Sequence, residues 1–351
     1  MNKTFWNRFL DSCSDNRKSK IENLKWVGIF AIALTFAFGG VVAQAQQPKK
    51  VPRIGFLSGR GAPTPTTPDP TAAAFQQGLR DLGYTEGKNI LVEYRYAEGT
   101  QDRWPGLVAE LVQLKVDVLV SPVGAAIRAA KQATSTIPIV MMITADPVAV
   151  GLVDSLARPG GNITGLTRLT IELSGKRLEL LKEVVPGLSR VGILFDAAGE
   201  PVTFKEYESA ARALKVQLQS LKVRGPDPDF VGAFQAAAKG RLGALVSVRT
   251  GLLLRYRNQI ADLAVKNRLP SMCEGSEEVE AGGLISYSAN DADLYRRAAT
   301  YVDKILKGAK PADLPVEQPM KFELIINLKT AKQIGLTIPP NVLVRADKVI
   351  K

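Results

Sequence analysis

The sequence predicts an α/β protein built as two lobes of similar size, each with its own parallel sheet. Three observations carry this. Short apolar runs alternate with helical segments of about 10–15 residues, the rhythm of βαβ units. That rhythm breaks at a turn-rich stretch, 158–165, and then starts again. The 351-residue length suits about two domains.

Each element follows from its pattern. Residues 51–57 form a short apolar strand. Residues 59–70 hold Pro63, Pro65, Pro68 and Pro70 and form a loop. In 72–83, Phe75, Leu79 and Leu82 share one helical face, and Gly83 closes the helix. Residues 89–96 alternate as a half-buried strand through Ile90, Val92, Tyr94 and Tyr96. A helix over 103–115, a buried strand over 117–120, a small-residue helix over 124–133 and a strand over 137–143 complete the first series. The second series runs helix 173–185, strand 190–195, helix 206–214 and strand 216–223. It continues with a helix to 238 opened by Asp227-Pro228, strand 242–248, helix 252–267 and strand 283–287. Asn290 can then cap a strong helix lined by Leu294, Ala298, Val302 and Ile305. A strand over 322–326 and a short helix over 328–333 close the chain.

The start of the chain reads as an export signal. Lys18, Lys20 and Lys25 precede an apolar run over 26–38, and Ala43-Gln44-Ala45 forms an A-x-A site. Residues 1–45 are expected to be removed, leaving an exported protein; an uncleaved anchor is the rival reading. The first 45 residues hold six Lys/Arg and three Asp/Glu, so +9 of the net +12 belongs to the rest. Those charges are dispersed and lack basic–aromatic interleaving, so nucleic acid is not expected as a partner.

Composition removes much chemistry. The chain contains no histidine, which excludes Ser-His-Asp and Cys-His nucleophile systems and His-ligated metals. Of Cys13 and Cys273, only the second lies beyond the signal, where it reads as a small buried apolar residue. Gly59-Arg60-Gly61 lacks the third glycine of a dinucleotide fingerprint, no phosphate-binding Gly-rich loop occurs, and no serine sits in a G-x-S-x-G elbow. Neither a metal nor a cofactor is called for. Glu274, Glu277, Glu278 and Glu280 read as a solvated helix face.

Ligands of parallel α/β sheets sit outside the carboxyl ends of the strands. That rule selects Ser58 and Gly59, then Ser121, Val123, Gly124 and Ala125, then Thr144 and Asp146. In the second lobe it selects Asp196, Arg249, Tyr287 and Asn290. Gly124 and Ala125 suit close approach of backbone N–H groups to a carboxylate or phosphate. Arg60, Arg128, Arg168 and Arg249 could each hold a carboxylate, and surface ion pairing explains an arginine equally well.

Four stretches carry a resemblance. They are Phe75-Gln76-Gln77-Gly78-Leu79-Arg80-Asp81-Leu82-Gly83-Tyr84; Asp146-Pro147-Val148 leading into Pro159-Gly160-Gly161-Asn162-Ile163-Thr164-Gly165; Tyr295-Arg296-Arg297-Ala298-Ala299 through Lys307-Gly308; and Asp313-Leu314-Pro315-Val316-Glu317-Gln318-Pro319 through Thr337-Ile338-Pro339-Pro340. In these the chain resembles the ABC-transporter substrate-binding proteins, whose members include tryptophan-type amino-acid binders. The resemblance implies a type I periplasmic-binding fold, two Rossmann-like lobes joined by a three-crossover hinge. Lobe I is then 46–165 with 286–318, and lobe II is 166–285 with 319–351. It implies capture of a small organic solute, an amino acid or related acid or amide, between the lobes. The implied partners are an ABC permease with its ATPase, and capture goes without catalysis; a monomer is the working expectation. Ser58, Ser121, Gly124, Asp146 and Tyr287 fall on cleft loops by this resemblance, with Gly165 a pivot. A ligand-sensing module for a membrane kinase or chemoreceptor, and an exported His-free hydrolase using Asp146 or Asp196, are the alternatives.

Overall fold

The computed structural model describes residues 50–351 except 66–67, 144–145, 169–172, 198–201, 226 and 320. The export signal expected over 1–45 and Thr144 lie outside the described residues. No helix among those described is long and apolar enough to cross a membrane.

From Val51 onward the chain builds two sheets. The first has five parallel strands in the order β2-β1-β3-β4-β5: β1 (Arg53–Ser58), β2 (Leu91–Tyr96), β3 (Val118–Ser121), β4 (Ile139–Ile143) and β5 (Ile163–Thr167). Helices α1 (Pro70–Asp81), α2 (Trp104–Gln113) and α3 (Gly124–Ala133) connect its strands. Strands β3 and β4 are buried on both faces, and their near-continuous apolar runs follow from that. Val118, Val120, Val140 and Met142 point to one side with Phe75 and Leu79. Leu119, Ile139 and Met141 point to the other with Trp104, Leu111 and Ile127. Asp69 caps α1 through the N–H groups of Thr71 and Ala72, and Pro70 sits in its first turn, which fixes where the proline-rich loop ends.

The second sheet has seven strands in the order β12-β11-β10-β9-β8-β6-β7. They are β6 (Arg190–Asp196), β7 (Gln217–Val223), β8 (Ala244–Ser247), β9 (Ser271–Cys273), β10 (Ile285–Ala289), β11 (Phe322–Asn327) and β12 (Lys348–Ile350). Only the β10–β11 pair is antiparallel. Helices α4 (Ser174–Val184), α5 (Val202–Leu214), α6 (Phe230–Lys239), α7 (Gly251–Arg255), α8 (Arg257–Lys266) and α9 (Ser276–Glu280) precede β10. They are followed by α10 (Asp291–Leu306), α11 (Leu328–Ile334) and α12 (Pro340–Leu343). After β5 the chain enters the second sheet's layer at α4. It returns after β10 to α10, which packs with α1 on the first sheet, and leaves again to reach β11.

Several local readings change. The stretch read as a break, 158–165, contains the start of β5; tertiary pairing with β4 turns Ile163-Thr164-Gly165 into strand. Gly165 has φ +136°, and a Cβ there would lie 2.2 Å from the Met141 carbonyl oxygen, so the glycine is a requirement of this pairing. The α6 cap is Asp229, not Asp227, since Asp229 accepts from the Gly232 N–H at 2.7 Å. The single helix expected over 252–267 divides at Tyr256 into α7 and α8. Strands β9 and β12, three residues each, are too short for a periodicity to register. The segment from 286 to 289, expected with the first lobe, pairs as β10 in the second sheet.

The α1–α10 crossing is close because Gly78 lacks a side chain. A Cβ there would meet the Arg296 carbonyl oxygen at 2.6 Å. Gly78→Ala and Gly165→Ala are expected to lower unfolding stability, the second by about 3 kcal/mol because it adds backbone strain to overlap. Gly61→Ala, where a Cβ meets nothing within 4 Å, should be near neutral. Denaturant unfolding of the three variants checks the order.

Candidate functional site

The loops at the carboxyl ends of the two sheets meet. The Arg60 guanidinium, in the loop after β1, donates to Glu277 on α9, which follows β9. The Arg255 guanidinium, on α7 after β8, donates to the Glu98 carbonyl after β2. These contacts bring the carboxyl-end loops of the two sheets against each other, where a cleft between the lobes would lie.

A line of alternating charges occupies it. Asp69 lies 3.4 Å from the Arg60 Nε. Arg60 pairs with Glu277, and the same Glu277 oxygen accepts from the Arg249 Nη2 at 3.2 Å. The Arg249 Nη2 lies 2.8 Å from Asp291 Oδ2. The other Asp291 oxygen accepts from the Arg168 Nε at 3.0 Å, and Arg168 also donates to the Met142 carbonyl at 2.8 Å. Glu278, buried behind this line, has its Oε2 3.9 Å from the Arg249 Nη1.

The ionisation follows from this packing. Burial alone would raise Asp291, but the Arg249 and Arg168 guanidiniums hold it down to about 2 from 3.8. Burial likewise works against ionised Glu277, yet Arg249 and Arg60 keep it below its ordinary value. Glu278 goes the other way: burial raises it, and Arg249 is too distant to reverse that. Burial disfavours the charge of Arg249, but its carboxylate neighbours push its pKa above the ordinary value.

A second buried cluster holds the second-lobe part of the site in place. Arg177, fully buried on α4, donates from Nε to the Tyr287 carbonyl at 2.9 Å and from Nη1 to Glu274 Oε1 at 3.1 Å. Tyr207 on α5 donates to the same oxygen at 2.9 Å. The other Glu274 oxygen accepts the Arg249 N–H at 2.9 Å. Two helices, β10 and the loops after β8 and β9 are thereby tied to one carboxylate.

The residues selected from sequence fall in different places. Arg249 is central to the charge line, and Arg60 and Arg168 join it; Arg128 is exposed. Ser58 is buried, and its hydroxyl accepts the Arg60 N–H at 3.3 Å. Ser121 likewise accepts the Val123 N–H at 3.2 Å. A Cβ on Gly59 would lie 3.3 Å from Val123, so the loops after β1 and β3 adjoin. Val123, Gly124 and Ala125 are half-buried at the start of α3, which has no side-chain cap. Asp146 is exposed and accepts from the N–H groups of Val148 and Ala149 at 2.8 and 3.3 Å. Asp196 is buried at the end of β6. Tyr287 is half-buried with its ring centroid 5.9 Å from that of Phe322. Asn290 caps α10 through the Asp293 N–H at 2.8 Å and donates to Glu323 at 2.7 Å.

The acidic stretch is the main correction. Glu274 and Glu278 are 4% and 5% exposed, so they are not a solvated helix face. Glu277, Glu278, Asp291 and Asp69 were missed as site residues. Recognising 271–273 as a strand would have placed 274–280 at a strand's carboxyl end and selected the glutamates. Cys273 is buried as expected, and burial pushes its thiol well above its ordinary range. No cluster of metal-ligating residues occurs among the described residues.

The class of protein is then defined by comparison. Residues 67–350 match the family described as ABC transporter substrate binding protein, and the chain belongs to that family, with a type I periplasmic-binding fold. A tyrosine-binding protein of Clostridioides difficile (strain R20291) is 25% identical over 269 residues, 76% of this chain and 77% of that protein. The crystal structure of a conserved domain protein from Vibrio cholerae O1 biovar El Tor superposes with a TM-score of 0.77 at 27% identity, covering 86% of this chain and 100% of the other. The ABC domain from Streptococcus pneumoniae in complex with L-Trp gives 0.77 at 25% identity, covering 85% and 99%.

Asp291→Asn should lower stability near neutral pH by about 2 kcal/mol, the linkage value of the depressed carboxyl. A depressed carboxyl stabilises above its unfolded pKa of 3.8, and that contribution is lost as pH falls through about 2. The variant's stability curve should therefore be flatter than wild type between about pH 4 and 2. Denaturant midpoints across that range measure the difference.

Proposed function

We propose that this protein captures a small organic solute, an amino acid with an aromatic side chain, between its two lobes and delivers it to an ABC permease driven by its ATPase. The observation that carries the reading is the interlobe site of a substrate-binding family member, where charged groups of both signs meet from opposite lobes. The tyrosine-binding and L-Trp-bound relatives support the aromatic class. Export ahead of residue 46 fits the A-x-A pattern, and on this reading the protein works in the periplasm, as a monomer.

The mechanism is capture without turnover. A solute enters between separated lobes and bridges them, so closure is favoured by contacts that the empty open form lacks. The loops after β1, β3 and β4, with Ser58, Gly59, Val123, Gly124, Ala125 and Asp146, meet it from the first lobe. Arg249, Asp196 and Tyr287 meet it from the second, and Asn290 holds the start of α10 at the hinge. A chain without histidine lacks the commonest general base, and the cleft carboxylates Glu277 and Asp291 are held ionised by guanidiniums.

Thermal unfolding against the amino acids tests this. L-tryptophan or L-tyrosine at 100 times its dissociation constant should stabilise the protein by ~2.7 kcal/mol, without being consumed. A flat response to every amino acid, or conversion of the bound one, would overturn the reading.

A further inference from the structure

Two links of the alternating line Asp69–Arg60–Glu277–Arg249–Asp291–Arg168 join groups of different lobes, Arg249–Asp291 at the crossover after β10 and Arg60–Glu277 on loops away from any crossover. Arg168 and Asp291 both lie where the chain crosses between the lobes, so lobe opening need not part them. Glu277 and Arg249 both belong to the second lobe. Arg60 and Glu277 stand on loops of opposite lobes, and opening must separate them. Once parted, Arg60 keeps Asp69 at 3.4 Å and Glu277 keeps Arg249 at 3.2 Å. Each group then faces the cleft with part of its charge unpaired, positive on one lobe and negative on the other. Their side chains are only 16% and 12% exposed in the closed form, so a solute that closes the lobes must replace what they give each other.

We propose that Arg60 and Glu277 are the specificity pair for a zwitterionic solute, Arg60 taking its carboxylate and Glu277 its ammonium group. In the structure the two satisfy each other. The inference rests on the solute-binding reading above and adds which residues read which end. An α-amino acid carries both charges on one carbon and can enter the broken pair with each end facing its complement. A singly charged analogue relieves one partner and leaves the other buried with part of its charge unpaired, so it is rejected. The bidentate fork of Arg60 suits a planar carboxylate, and Asp69 approaches its Nε at 3.4 Å.

Isothermal titration of the purified protein tests this with L-tryptophan, tryptamine, which lacks the carboxylate, and indole-3-propionate, which lacks the ammonium group. The tyrosine series is run in parallel. Wild type should bind the amino acid about 100-fold or more tightly than either analogue. Arg60→Ala should reduce the preference over tryptamine to under about tenfold and leave the preference over indole-3-propionate standing. Glu277→Gln should do the reverse. Because each variant is judged by a ratio of its own affinities, general destabilisation does not mimic the result. If either variant fails to fold, Arg60→Lys and Glu277→Asp replace it, with the same ratios shifting by about threefold or more. Amino-acid binding with both ratios unchanged in the variants overturns the pair and leaves the solute-binding reading intact. Failure of wild type to bind any amino acid overturns both.

Discussion

Arg249 carries its charge where water scarcely reaches, between the ends of two sheets. A buried guanidinium is tolerated only where carboxylates surround it. Glu277, Glu278 and Asp291 do so from α9 and the start of α10. Glu274 fixes the arginine's own backbone, and Arg177 and Tyr207 fix Glu274. The conformation of three loops thus follows from the need to neutralise one charge. The first lobe enters the same arrangement through Arg60 and Arg168.

Such a network suits the opening and closing proposed above. Buried ion pairs contribute little net stability because desolvation offsets most of their attraction. They are, however, intolerant of a missing partner, and so they discriminate strongly among arrangements. In the proposed motion the closed form is held by charge complementarity and the open form by hydration of the same groups. A solute with matching charges can tip an equilibrium poised in this way with modest differential affinity. The apolar cores lie on either side of each sheet, away from the cleft, so the lobes keep their internal packing while the interface between them changes.

The crossovers limit that change. Helix α10 lies between two of them, and the Gly78 contact clamps it to α1. Its first turn presents Asp291 to arginines from both sides. The start of α10 at the crossover and the charge line therefore share a residue, tied to Arg168 by an ion pair about 3 Å long.

Periodicity in the sequence determined the alternating strands and helices, the two-lobe division and the carboxyl-end loops, because apolar spacing reports burial directly. It thereby brought Arg249 and Arg60 into consideration. Absence of histidine excluded whole classes of chemistry without any structure. Only tertiary structure decided the rest. Glu277 and Glu278 look like any acidic surface run until β9, three residues long and without a period, carries them to the sheet's end. Asp291 reads as a first-turn helix acid, and only the crossover brings it to Arg168 and Arg249. Gly165 reads as a turn residue, and pairing with Met141 makes it strand. In each case the deciding partner lies far along the chain, and local pattern holds no trace of a contact that the fold alone creates.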